Sequence, residues 1–206
     1  MLKKLSFFSL IAVAFTLFSF KSIQADQPEI GKPTPSFTLS DSNGKNHSIS
    51  DFKGKHVILE WINLSCPFVR KHYDTANMQK LQKEWTDKGA IWLSIASSAE
   101  GKQGFFNGAK WNELIKKENA SMTAVLLDPA GKVGKLYGAK TTPHMFVIDP
   151  KGNIIYKGAI DDNSSYDKDD VQGAKNYVSQ ALTESMANKP VSVPVTEPYG
   201  CSVKYK

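Results

Sequence analysis

Residues 56–62, His-Val-Ile-Leu-Glu-Trp-Ile, run without polar alternation except at Glu60. A strand with one face in water alternates, so this one is covered on both faces and belongs in the middle of a sheet. Residues 90–96 form the next buried strand. Between the two, residues 67–88 place Val69, Tyr73, Leu81 and Trp85 at spacings near three and four, with Lys88 and Gly89 closing a predicted helix. Two buried strands around a helix commit the chain to a layered α/β fold.

The flanking segments complete the pattern. A proline-rich lead at residues 31–35 precedes a predicted hairpin of residues 36–39 and 46–49, turning at Asn43 and Gly44. Residues 97–110 are small and glycine-rich, an irregular insertion before a helix at 111–118. A strand at 124–127, a short helix at 133–137 and a second hairpin, 145–148 with 154–156 around Asp149 to Asn153, follow. An acidic stretch at 161–170 reads as a solvated loop without calcium-loop spacing. It feeds a closing helix at 171–188, with Asp169 or Asp170 as its cap.

The chain starts with Lys3 and Lys4, continues as an apolar run to Phe20 and reaches Ala25 before Asp26. That order reads as a secretory signal cleaved near Ala25. Its removal takes away Lys3, Lys4 and Lys21 and no acid, lowering the formal net charge from +6 to +3. The remaining lysines are dispersed, so nothing marks a nucleic-acid surface. Residues 26–188 are long enough for one compact domain with a substantial core, and residues 189–206 form a tail. The destination is periplasm or medium, where the two cysteines, Cys66 and Cys201, can form a disulfide.

Cys66 follows the buried strand and opens the first helix, with Pro67 at the first helical position. Unpaired backbone amides and the helix dipole stabilise an anion there, the setting of a nucleophilic sulfur. The alternative is an inert buried cysteine. Arg70, the sole arginine, stands one turn later on the same face, either near the sulfur or solvated. Glu60 lies in an otherwise apolar strand, where burial raises a carboxyl's affinity for its proton and suits it to proton transfer. Thr142, Pro143 and His144 lead into the strand at 145–148 and are the candidate substrate-binding residues, with His144 either tuning or ligating at the site or serving as a hydrogen-bonded structural histidine. No cofactor motif is present. Cys66 with His144, His72 or Met145 offers soft ligands for copper, the basis of an alternative reading as a non-enzymatic binding module.

Several pieces, in order, resemble the thioredoxin-like superfamily, and within it the redoxin group related to alkyl hydroperoxide reductase and thiol-specific antioxidant proteins. They are Gly31 to Leu39, Cys66-Pro67-Phe68-Val69-Arg70, Tyr137-Gly138-Ala139-Lys140-Thr141-Thr142-Pro143, and Phe146-Val147-Ile148-Asp149-Pro150-Lys151-Gly152. The resemblance implies a thioredoxin fold with a mixed central sheet flanked by helices, here extended by the N-terminal hairpin and the C-terminal tail. It implies an antioxidant or thiol-disulfide exchange activity, a peroxide or protein disulfide as substrate and a thiol reductant protein as partner. By the same resemblance Glu60 is a proton relay. Thr142 and Pro143 have a cis bond facing the catalytic cysteine and a backbone that binds the substrate's extended chain.

Two departures bear on mechanism. Where thioredoxins have Cys-x-x-Cys, this chain has Val69 in the second cysteine's place. Where peroxiredoxins have Pro-x-x-x-Thr-x-x-Cys and a distant arginine, it has Leu59, Asn63 and no distant arginine. Cys201 is the candidate replacement for the missing thiol. Pro190, Pro194 and Pro198 keep the tail extended, and twelve residues reach about 40 Å, enough to return to Cys66. A disulfide between Cys66 and Cys201 is worth about 5 kcal/mol on the chain-entropy model. It serves either as the resolved intermediate of catalysis or as a permanent clasp.

Overall fold

The computed structural model describes residues 27–206; the expected signal at residues 1–25 lies outside them. A five-stranded sheet forms the centre, in the order of residues 124–127, 91–96, 57–61, 144–148 and 154–158. β3 (Val57–Trp61) and β4 (Ile91–Ala96) are parallel, as are β4 and β5 (Ala124–Leu127). β7 (His144–Ile148) joins β3 antiparallel, and β8 (Ile154–Gly158) joins β7 antiparallel. All five residues of β3 are buried, Glu60 among them, as a run otherwise apolar requires.

Alternation along the strands sorts the core into two faces. Ile58, Trp92, Met145 and Val147 face one way, with Cys66, Val69 and Tyr73 of α1 (Pro67–Asp74), Leu81 and Trp85 of α2 (Asn77–Asp87), Trp111 of α3 (Gly108–Lys117) and Val178 and Leu182 of α5 (Tyr177–Met186). Leu59, Trp61, Phe146 and Ile148 face the other way, against Val133 of α4 (Lys132–Leu136), Tyr137 and the N-terminal lead. The hairpin of β1 (Thr38–Ser40) and β2 (Asn46–Ser48) turns where Asn43 and Gly44 predict it.

Two helices differ from expectation. The predicted helix at 67–88 is broken into α1 and α2, because Ala76 takes a left-handed φ of 57°. Thr75 Oγ1 donates to the Lys71 carbonyl at 2.8 Å, which caps the end of α1. The closing helix begins at Tyr177, six residues late. Asn176 caps it by accepting from Ser179 N at 2.8 Å, while Asp169 and Asp170 sit in a separate 3-10 turn.

The tail is tied down along its length. Thr196 Oγ1 accepts from Ala159 N at 2.9 Å. β9 (Cys201–Ser202) then pairs antiparallel with β6 (Thr141–Thr142), aligning Cys201 with Thr142.

Candidate functional site

Cys66 ends the loop after β3 in extended backbone (φ −88°, ψ 128°) and starts α1, its carbonyl accepting from Arg70 N at 2.8 Å. The side chain is fully buried. Its sulfur donates to the Thr142 carbonyl at 3.2 Å, across a cis peptide bond between Thr142 and Pro143. The Thr142 hydroxyl is also buried and has no hydrogen-bond partner. An unoccupied donor therefore belongs to the same residue that receives the Cys66 thiol.

Cys201 approaches from the tail, paired with Thr142 along β9 and with its thiol beside that of Cys66. Both cysteines are free thiols, and Cys201 is the partly exposed one. Burial, and then the neighbouring Cys66 thiol, push the Cys201 pKa up to about 11. Gly200 makes this approach possible. It holds φ at +134°, and a Cβ there would lie 2.1 Å from the Thr142 carbonyl oxygen.

Of the residues singled out in the sequence, Cys66, Thr142, Pro143 and Cys201 are brought together. Glu60, Arg70 and His144 are not. Glu60 is fully buried, with Tyr73 Oη donating to one oxygen at 3.1 Å. Trp92 Nε1 and Ser94 Oγ both donate to the other at 2.8 Å, and Gln82 Nε2 at 3.3 Å. Burial holds its pKa above the usual carboxylate value despite these donors. Among the described residues no hydrogen bond links this carboxylate to either sulfur. Arg70 is engaged by Asp74 and, at 2.8 Å, by Glu118 at the end of α3, so its charge is neutralised and it braces two helices.

His144 lies on the opposite face of the sheet from Cys66. Its ring packs on Phe146 at 4.7 Å, and Nδ1 accepts from Lys140 N at 3.3 Å. Burial, with Lys140 and Lys157 nearby, lowers its pKa to about 3, so it is a neutral packing histidine. His72 bonds to Asn77 Nδ2 at 2.9 Å and to Tyr199 Oη at 3.2 Å. Neither ring is aimed at the sulfur.

A second polar cluster, invisible to motif reading, ties the tail to α1. Lys71 is buried and donates to the carbonyls of Asn163 at 2.8 Å and Ser165 at 3.0 Å, with its ammonium 5.4 Å from the Tyr199 ring centre. Tyr199 Oη donates to Asp161 at 2.5 Å. Asp161 is therefore buried, and the acidic stretch it begins is docked there, not fully solvated as its charge suggests. The one signal in the sequence is the adjacency of Lys71 and His72 to the Cys66 turn, and of Tyr199 to Cys201.

The AhpC/TSA family model matches residues 30–157. The chain belongs to this family. A thiol-disulfide oxidoreductase, ResA, of Bacillus thuringiensis subsp. konkukian is 30% identical over 144 residues, 70% of this chain and 78% of the relative. The thioredoxin-like protein YneN of Bacillus subtilis is 29% identical over 124 residues, 60% of this chain and 68% of that one. Among solved structures, a hypothetical protein of Sinorhizobium meliloti 1021 superposes with a TM-score of 0.73 at 20% identity, covering 88% of this chain and 97% of that one. A putative thiol:disulfide interchange protein, DsbE, of Chlorobium tepidum gives a TM-score of 0.52 at 24% identity, covering 64% and 85%. The central sheet and its helices are thus a thioredoxin fold.

Proposed function

We propose that the protein is an exported thiol-disulfide oxidoreductase whose redox pair is Cys66 and Cys201. The observation that carries this reading is the meeting of both thiols at Thr142, one bonded to its carbonyl and the other paired with it along β9. Cys66 sits at the helix start, and Cys201 comes from the tail to close the disulfide with it. The tail thereby supplies the second thiol that Val69 does not. Thr142 and Pro143 align the pair, Glu60 and Arg70 support the fold around it, and a protein disulfide with a thiol reductant protein are its substrate and partner. The relative named as a thiol-disulfide oxidoreductase supports the same chemistry. The signal-like residues 1–25 support export to the periplasm or the medium, after cleavage near Ala25, through the secretion machinery.

Between the two oxidants, the geometry favours a disulfide over a peroxide. Antioxidant, peroxiredoxin-like chemistry calls for a cation directed at the sulfur, and Arg70 is held by Asp74 and Glu118. To test the reading, reduced protein is mixed with stoichiometric oxidised dithiol or hydrogen peroxide, and its cysteines are mapped by mass spectrometry. The expected product is a disulfide between Cys66 and Cys201, formed faster with the dithiol. The reading is abandoned if Cys66 remains a free thiol after both treatments. Copper binding lost in Cys66→Ser, with no disulfide formed in the parent, would support the binding-module alternative instead.

A further inference from the structure

Cys66 and Cys201 differ in access from outside. Cys66 is fully buried, and residues 199–202 of the tail lie against the segment its sulfur faces. The backbone of Thr141 and Thr142, along which another extended chain would align, is already paired with Cys201 and Ser202. Anchors on both sides keep this strap in place. Before Cys201, Tyr199 holds Asp161. After it, Val203 N donates to the Lys140 carbonyl at 3.0 Å, Ala99 N to the Lys204 carbonyl at 2.8 Å, and Tyr205 Oη to the Ala139 carbonyl at 2.8 Å. Exposing Cys66 requires breaking several of these contacts, whereas Cys201 is partly exposed as it stands.

The geometry points to Cys201 as the sulfur through which the pair exchanges with outside thiols, with Cys66 as the internal member that never bonds to the partner. This assignment rests on the redox-pair reading above. In reduction, an incoming thiolate attacks Cys201 Sγ of the Cys66 to Cys201 disulfide. The bond between the two protein sulfurs breaks, and its electron pair leaves with Cys66 as a thiolate at the start of α1. A mixed disulfide now joins Cys201 to the reductant. A second reductant thiol attacks the reductant's own sulfur, releasing Cys201, and the Cys66 and Cys201 thiolates each take up one of the two protons that the reductant thiols give to solvent. The balance is one protein disulfide and two reductant thiols in, two protein thiols and one reductant disulfide out.

Leaving-group chemistry agrees with access. Exchange is faster when the departing sulfur is the better-stabilised anion. Charge leaving on Cys66 arrives at the helix N-terminus, whereas Cys201, with its pKa pushed up to about 11, is a poor leaving group. Oxidation of the reduced pair runs the same path backwards: the mixed disulfide sits on Cys201 and Cys66 displaces the partner from it.

The test oxidises the full wild-type chain with diamide and then treats it briefly with glutathione. Acid quenching and maleimide capture of free thiols precede peptide mapping. Glutathione on Cys201 with maleimide on Cys66, in at least ten-fold excess over the reverse pattern, is the expected result. Glutathione mainly on Cys66, or evenly shared, overturns the assignment while leaving the redox pair intact. If diamide produces no disulfide between Cys66 and Cys201, the redox-pair reading itself falls, and this inference with it.

Discussion

The carboxylates of Glu60 and Asp161 are both buried near α1, and burial holds both above their ordinary pKa, yet they organise different parts of the molecule. Glu60 takes its four donors from Tyr73, Gln82, Trp92 and Ser94, all within helices and strands of the central core. Asp161 takes Tyr199 from the tail and lies beside Lys71 and His72 of α1. The first cluster joins helices to the sheet beneath Cys66 without touching the sulfur. The second holds the strap two residues before Cys201. A buried acid near a reactive cysteine is thus insufficient to identify a proton relay; what its donors belong to distinguishes packing from positioning.

The largest expected effect in this comparison comes from Lys71→Met. It leaves two partly buried carbonyls without their donor and removes the buried cation beside Asp161, which should cost about 3 kcal/mol. Urea unfolding measures this; a loss below about 1 kcal/mol would show the ammonium to be hydrated and the loop undocked.

Tyr199→Phe should cost less, about 1.5 kcal/mol for a hydrogen bond to a charged group. Its diagnostic effect is on the redox pair. A looser strap lowers the effective concentration of Cys201 at Cys66, so the reduction potential should rise, by about 30 mV for each 1.4 kcal/mol of lost positioning. A glutathione redox titration reads this directly. An unchanged potential would remove the functional difference between the two clusters.

Glu60→Gln sharpens the contrast from the other side. It should leave the potential unmoved and change stability at neutral pH by about 1 kcal/mol, while altering its pH dependence. The carboxyl's folded pKa lies above its ordinary value of 4.5. Its contribution to stability is therefore fully present below pH 4.5 and declines as pH rises through the folded value. That decline should disappear in Glu60→Gln, as measured by urea unfolding over a pH series. A shift in potential as large as that of Tyr199→Phe would restore Glu60 to a role at the sulfurs.

The smallest effect at neutral pH belongs to His144→Gln, and its sign in acid is opposite. The folded pKa of about 3 lies below the ordinary 6.5, so neutral His144 stabilises above pH 6.5 and this contribution is lost as pH falls toward 3. The variant should lose less stability than the parent between pH 6.5 and 4, with copper affinity unchanged. Weakened copper binding would return His144 to the site.

The sequence specified the sheet, because a run such as residues 57–61, apolar except for Glu60, has only one stable environment, a strand covered on both faces. It also determined the placement of Cys66 at a helix start, since Pro67 and the periodicity after it are local signals. Helix boundaries were less legible. Ala76 carries no mark of its left-handed backbone, and Asn176 displaced the acidic cap through a local bond that several neighbouring residues were equally able to make. The direction of each side chain in the candidate site was decided only by tertiary structure. Arg70 and Cys66 are one turn apart in sequence, but Asp74 and Glu118 draw the guanidinium to themselves. His144 follows Pro143 directly, but strand alternation turns it to the far face. Cys201 reaches Thr142 across a loop that periodicity does not describe, because long-range pairing is set by the whole folded surface, through Gly200, Tyr199 and the Lys71 cluster, and by no signal within the tail alone.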